Sequence, residues 1–95
     1  MSQKPESKLV TKILTALRND GWLVTKTHGG AYSDAGVPDI LGWRAGKALA
    51  LEVKAGSGTT TALQERWLKQ LAEQGVLAGV VRSVEDAKGI AGGNN

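Results

Sequence analysis

Asp39, Glu52 and Lys54 fall within one short stretch, GVPDILGWRAGKALALEVK (36–54), and their types and spacing suit metal-assisted chemistry. Side chains alternate across a strand, so Leu49, Leu51 and Val53 share one face while Ala50, Glu52 and Lys54 share the other. Glu52 and Lys54 then emerge together with Cα atoms about 7 Å apart, close enough to touch one bound group. Asp39 opens the preceding apolar run, where an acid is poorly tolerated unless something binds it. A hairpin that sets Asp39 beside Glu52 would make two carboxylates repel and raise each other's pKa. A divalent cation relieves that penalty, and an all-oxygen set suits Mg2+ or Mn2+. The plainer reading, an edge-strand ion pair plus a turn aspartate, is the better one for each residue taken singly. Their joint occurrence, with two further residues, favours a site.

Those further residues are Glu6 and Gln64. Leu9, Val10 and Ile13 lie three, four and seven positions after Glu6, which places it on the apolar stripe of its helix. An acid in a first turn also complements the helix dipole without facing inward. Gln64 either completes a capping box with Thr61 or reaches inward from its helix, since Trp67, Leu68 and Leu71 stand at the same three spacings from it.

The elements that must position these groups follow from periodicity. Residues 5–20 form a helix with Leu9, Val10, Ile13, Leu14 and Leu17 as its stripe, Pro5 in its first turn and Asp20-Gly21 as its stop. A strand is expected over 22–28, then a ten-residue loop, GGAYSDAGVP. Strands near 39–44 and 47–54 are joined so briefly, at Ala45-Gly46, that they pair as an antiparallel hairpin. After AGSGTTT, a helix begins at Thr61, buries Leu63, Trp67, Leu68, Leu71 and Ala72, and ends at Gly75. VLAGVVR (76–82) reads as a strand covered on both faces, parallel to strand 47–54 across the helical crossover. Ser83 and Asp86 cap a short last helix, and residues 89–95 read as a flexible tail. The order is αβββαβ(α): one α/β domain over 1–95 with its core at about 5–88, a small mixed sheet flanked by helices.

Composition sets the boundaries. The 95 residues suffice for one core with little to spare. No cysteine is present, which excludes disulfides and thiolate metal sites. No apolar run reaches membrane length and no signal pattern follows Met1, so a cytoplasmic protein is expected. The net charge is +3, but if Glu6, Asp39 and Glu52 turn into a site, six acids remain against twelve Lys and Arg. An outer balance of about +6 is enough to attract phosphates.

The same residues carry a family resemblance. Pro38-Asp39 followed by Glu52-Val53-Lys54 resembles the PD-(D/E)XK nuclease superfamily. With Glu6 on the first helix, GVPDI, LEVK, QERWL (64–68) and GVLAGVVRSVEDA (75–87), the chain resembles the short stand-alone form of the virus-type replication-repair nuclease (VRR-NUC) domain, over about 5–88. That resemblance implies a restriction-endonuclease-like core and a functional set of Glu6, Asp39, Glu52, Lys54 and Gln64. It also implies a metal oxygen from the main chain of Val53. It further implies a homodimer acting on branched DNA, four-way (Holliday) junctions included, with Mg2+ or Mn2+ as cofactor.

On that reading Arg44, Lys47, Arg66 and Lys69 are candidate backbone contacts. Thr59, Thr60 and Thr61 could hold a phosphate on main-chain amides. Gly29, Gly30, Tyr32 and Ser33 could shape the DNA groove, and Trp43 and Trp67 could supply a dimer contact. His28 has no histidine partner, which excludes a zinc site, and Gly42, Gly46 and Lys47 have the wrong spacing for a P-loop. The alternatives are a branched-DNA-binding module without catalysis, a nuclease of flaps or duplex, and an interaction domain that uses its sheet edge. Metal-dependent cleavage separates the enzymatic readings from the others.

Overall fold

Alternating apolar residues on one sheet face and two amphipathic helices across it make the core. The computed structural model describes residues 4–27 and 35–92. Its elements are α1 (Pro5–Asn19), β1 (Leu23–Lys26), β2 (Ile40–Arg44), β3 (Lys47–Val53), α2 (Ala62–Glu73), β4 (Leu77–Val81) and α3 (Val84–Ala91). The sheet order is β1-β2-β3-β4, with the first two pairings antiparallel and β3-β4 parallel, as the short hairpin and the helical crossover require. Ala45 and Gly46 both have positive φ, 50° and 82°, the geometry of the tight turn whose twist matches paired strands.

Register divides the side chains between two faces. Val24, Ile40, Leu49, Leu51, Val53 and Val81 lie on one face and are buried against Val10, Ile13, Leu14 and Leu17 of α1 and Ala87 and Ala91 of α3. Each large apolar side chain so buried stabilises the fold by about 1.5–3 kcal/mol. The helix α3 runs to Ala91, which is buried. The helix thus extends into the 89–95 stretch that reads as a tail in the sequence.

The second face departs from expectation. Against the sheet, the helix α2 packs mainly on β4 and the adjoining part of β3, and none of its residues is fully buried. Leu63 is 50 % exposed and Trp67, Leu68 and Leu71 are half-buried, in place of the expected buried stripe. As expected, β4 carries a helix on each face, α2 on one and α3 on the other, and it is half-buried from Leu77 to Val80 because it is an edge strand of the sheet. An amphipathic pattern shows which side of a helix can bury, but not how much partner surface lies opposite it. Here the sheet offers small residues, Ala48, Ala50 and Ala78, while Leu23 of β1 and Trp43 of β2 lie open at 72 % and 47 % exposure.

Candidate active site

Strand register brings the two acids together. Ile40 pairs with Leu51, so one step further sets Asp39 opposite Glu52 on the α2 side of the sheet. The main-chain N–H of Val53 donates to Asp39 Oδ2 at 2.8 Å, which ties the aspartate to the strand that carries the glutamate. Two further hydrogen bonds hold its backbone. The Thr27 hydroxyl donates to the Pro38 carbonyl at 2.7 Å, and the Thr27 N–H donates to the Asp39 carbonyl at 2.8 Å.

The approach to Asp39 is fixed from the other side as well. Gly36 has φ +85°, and a Cβ there would stand 2.9 Å from the Leu63 backbone carbon. Only glycine combines that conformation with so close an approach to α2. One residue earlier, the Ala35 carbonyl accepts from Trp67 Nε1 at 3.2 Å. The 35–38 segment is thus clamped between α2 and β1 before it delivers Asp39.

Glu52 is 2 % exposed, the buried charged residue of the described core. Its Oε2 lies 3.6 Å from Lys54 Nζ, while its Oε1 is buried with no hydrogen-bond partner. Burial first, and then the neighbouring Asp39 carboxylate, push the Glu52 carboxyl up to about 8, and Lys54 offsets only part of this. An orphaned buried carboxylate oxygen beside a second carboxylate costs stability unless something occupies the space between them. The donor set, carboxylates plus a main-chain carbonyl at Val53, fits a hard divalent cation. Lys54 is 12 % exposed and stands at the rim with its ammonium toward the pair.

The remaining candidates are placed less centrally. Glu6 is exposed in the first turn of α1 and not on the buried stripe, which begins at Val10. Helical spacing sets which side of α1 a residue lies on, not whether partner surface lies opposite it. Among the described residues, no group of three or more acids or histidines gathers into a cluster, so the close set is the Asp39–Glu52 pair and not a trio. Gln64 completes the capping box: its Oε1 accepts from Thr61 N–H at 2.9 Å, and its own N–H donates to Thr61 Oγ1 at 3.1 Å. The amide nitrogen of Gln64 is left over for other contacts.

Thr60 donates its hydroxyl to Glu65, and the Thr61 amide is occupied by the capping box. Arg44 and Lys47 lie at the β2-β3 turn, the opposite end of both strands from Asp39 and Lys54. Arg44 donates to the Asp20 carbonyl at 2.8 Å and stacks 4.8 Å over the Trp22 ring, a structural attachment that accounts for its position. Arg66 and Lys69 are exposed on α2. His28, Gly29, Gly30, Tyr32 and Ser33 lie outside the described residues. Thr27 and Trp67, whose bonds fix the Asp39 segment, carried no positioning role in the sequence because such bonds arise only from folding.

The sequence model for the VRR-NUC domain matches residues 5–85. No curated protein matches the sequence. A solved VRR-NUC domain superposes with a TM-score of 0.78 at 20 % identity, covering 98 % of this chain and all of the other. A second VRR-NUC domain protein gives 0.74 at 18 % identity, covering 97 % and 88 %. Hjc, a Holliday junction resolvase from the archaeal hyperthermophile Archaeoglobus fulgidus, gives 0.64 at 22 % identity, covering 81 % of this chain and 67 % of that one. At these identities the superpositions establish a shared fold.

Proposed function

Because the chain belongs to the VRR-NUC family of nucleases, we propose that it hydrolyses phosphodiester bonds in branched DNA, with four-way junctions preferred, as a metal-dependent homodimer. The observation that carries this reading is the opposed Asp39–Glu52 pair with its unpartnered buried oxygen, set beside Lys54. Asp39, Glu52 and the Val53 carbonyl would hold Mg2+ or Mn2+, with Glu6 contributing through a water from its exposed turn. Such a cation supplies Lewis-acid polarisation of the phosphoryl oxygen and a water acidic enough to attack at neutral pH.

The chain's own groups supply the remaining functions. Lys54, as an ammonium, places positive charge where negative charge builds on the phosphorane-like transition state. Glu52 anchors that ammonium through Oε2. Asp39, fixed by Val53 and Thr27, is held opposite Glu52 to share the cation with it. The free amide nitrogen of Gln64 orients Lys54 or the scissile phosphate. Arg66 and Lys69 on the exposed side of α2 are backbone contacts consistent with the excess of basic residues. A 9.9 kDa protomer has little surface for recognising a junction. The uncovered Leu23 and Trp43, register partners on adjacent strands, provide an apolar patch for a second copy.

The test is a cleavage panel of duplex, flap and four-way-junction DNA in Mg2+, Mn2+ or EDTA, run on wild type and Lys54→Ala. Junction DNA should be cut fastest, with a metal requirement, and Lys54→Ala should lose about 100-fold or more in rate. Unchanged cutting by the variant removes Lys54 from the mechanism. Equal cutting of duplex and junction defeats the branched-DNA reading.

A further inference from the structure

The basic side chains divide according to the end of the sheet they serve. At the hairpin end, Arg44 is held by Asp20 and Trp22, Arg18 donates to the Val24 carbonyl at 3.3 Å, and Lys88 pairs with Asp20 at 3.8 Å. Arg82 lies at the other end. The last register pair of the parallel strands is Val53–Val81, and Lys54 N–H donates to the Val81 carbonyl. Lys54 and Arg82 therefore leave β3 and β4 side by side, on backbones about 4.8 Å apart.

Arg82 is exposed yet held at two points. Its main-chain N–H donates to Asp86 Oδ2 at 2.9 Å, and its Nη1 donates to the Gly56 carbonyl at 3.1 Å. The salt bridges among the described residues are Lys54–Glu52 and Lys88–Asp20, so the Arg82 guanidinium has no carboxylate partner there. Its Nε and Nη2 edge, the two-donor fork that suits a phosphate, has no partner among the described residues. The turn that it grips is also the one beside the active-site lysine. Gly58 N–H closes that turn onto the Ala55 carbonyl at 3.1 Å, and a Cβ at Gly58 would stand 3.8 Å from Lys54 Cδ.

We infer that Arg82 is a substrate-binding residue of this site, its guanidinium pre-set by the Gly56 carbonyl to grip a DNA backbone phosphate neighbouring the one Lys54 attends. This rests on the nuclease reading and extends it to a named phosphate contact. An arginine fixed before binding loses less side-chain freedom on complex formation than a free surface lysine. The bond to Gly56 uses one nitrogen and leaves the fork, so holding the turn and gripping phosphate are compatible.

The experiment measures equilibrium binding of junction and duplex DNA in Ca2+ across about 50–200 mM salt, together with cleavage in Mg2+ and thermal melting. Arg82→Gln removes the charge and keeps a polar amide, its donor two bonds short of the Nη1 that holds Gly56, an exposed bond whose loss costs little stability. It should melt like wild type, bind about tenfold more weakly, and show a salt slope shallower by about 0.9. Its KM should rise while kcat at saturating DNA is retained. Arg82→Lys should recover the slope and part of the affinity. An unchanged Kd and slope in Arg82→Gln overturns the inference, as does a fall in kcat with lowered melting and unchanged KM, which would make Arg82 a holder of the turn alone. A wild type that binds no DNA overturns this inference and the nuclease reading together, whereas wild-type binding with an unaffected variant overturns only this one.

Discussion

Replacing Glu52 with glutamine should stabilise the metal-free protein, and the gain should grow with pH. Burial and Asp39 raise the Glu52 carboxyl from 4.5 to about 8. Between those values the folded state keeps a proton that the unfolded state has lost, so stability falls as pH rises through the window and levels off above about 8. The slope can reach about 1.4 kcal/mol per pH unit, and the full shift corresponds to about 5 kcal/mol. Relaxation around the buried carboxylate reduces that, leaving an expected loss of about 2–5 kcal/mol relative to Glu52→Gln, which stays neutral throughout. For a chain this size, whose whole stability is about 5–14 kcal/mol, the effect is large.

The assay is urea unfolding of both proteins in EDTA from pH 5 to 9. The two curves should lie close together at pH 5 and diverge toward pH 8. Adding Mg2+ or Mn2+ at pH 7.5 should stabilise wild type with release of a proton and leave Glu52→Gln nearly unmoved. Parallel curves across the whole range would refute the reasoning, because Glu52 would then be solvated or compensated in a way its burial does not allow.

Gly36→Ala combines a positive φ with a Cβ placed 2.9 Å from the Leu63 backbone, so it should lower stability by about 1–3 kcal/mol in urea unfolding. It should also reduce cleavage, by moving Asp39. Thr27→Val removes the hydroxyl bond to the Pro38 carbonyl and should cost about 1 kcal/mol in the same assay. Its cleavage rate should fall more than its melting temperature suggests. Trp43→Glu places a charge in the exposed Leu23–Trp43 patch and should shift the protein from dimer to monomer in sedimentation while thermal unfolding of the protomer persists. A variant that stays dimeric removes that patch from the interface.

The sequence determined whatever depends on neighbours along the chain. The stripe of α1 from Val10 to Leu17, the hairpin at Ala45-Gly46, the Thr61–Gln64 capping box and the parallel return of β4 are all short-range patterns, and the folded chain has each of them. The shared face of Glu52 and Lys54 belongs to the same class, since alternation along one strand is local. Spacing could not tell that Glu6 lies open in its first turn, or that the apolar side of α2 finds too little sheet opposite it to be buried. Nor could it show Thr27 and Gly36 as the clamps on Asp39, or Arg82 beside Lys54. Tertiary structure decided these because they depend on register and on partner surface between segments distant in the chain. The orphaned Glu52 oxygen is the clearest case: a carboxylate becomes costly only when packing removes its water, and no residue adjacent in sequence signals that.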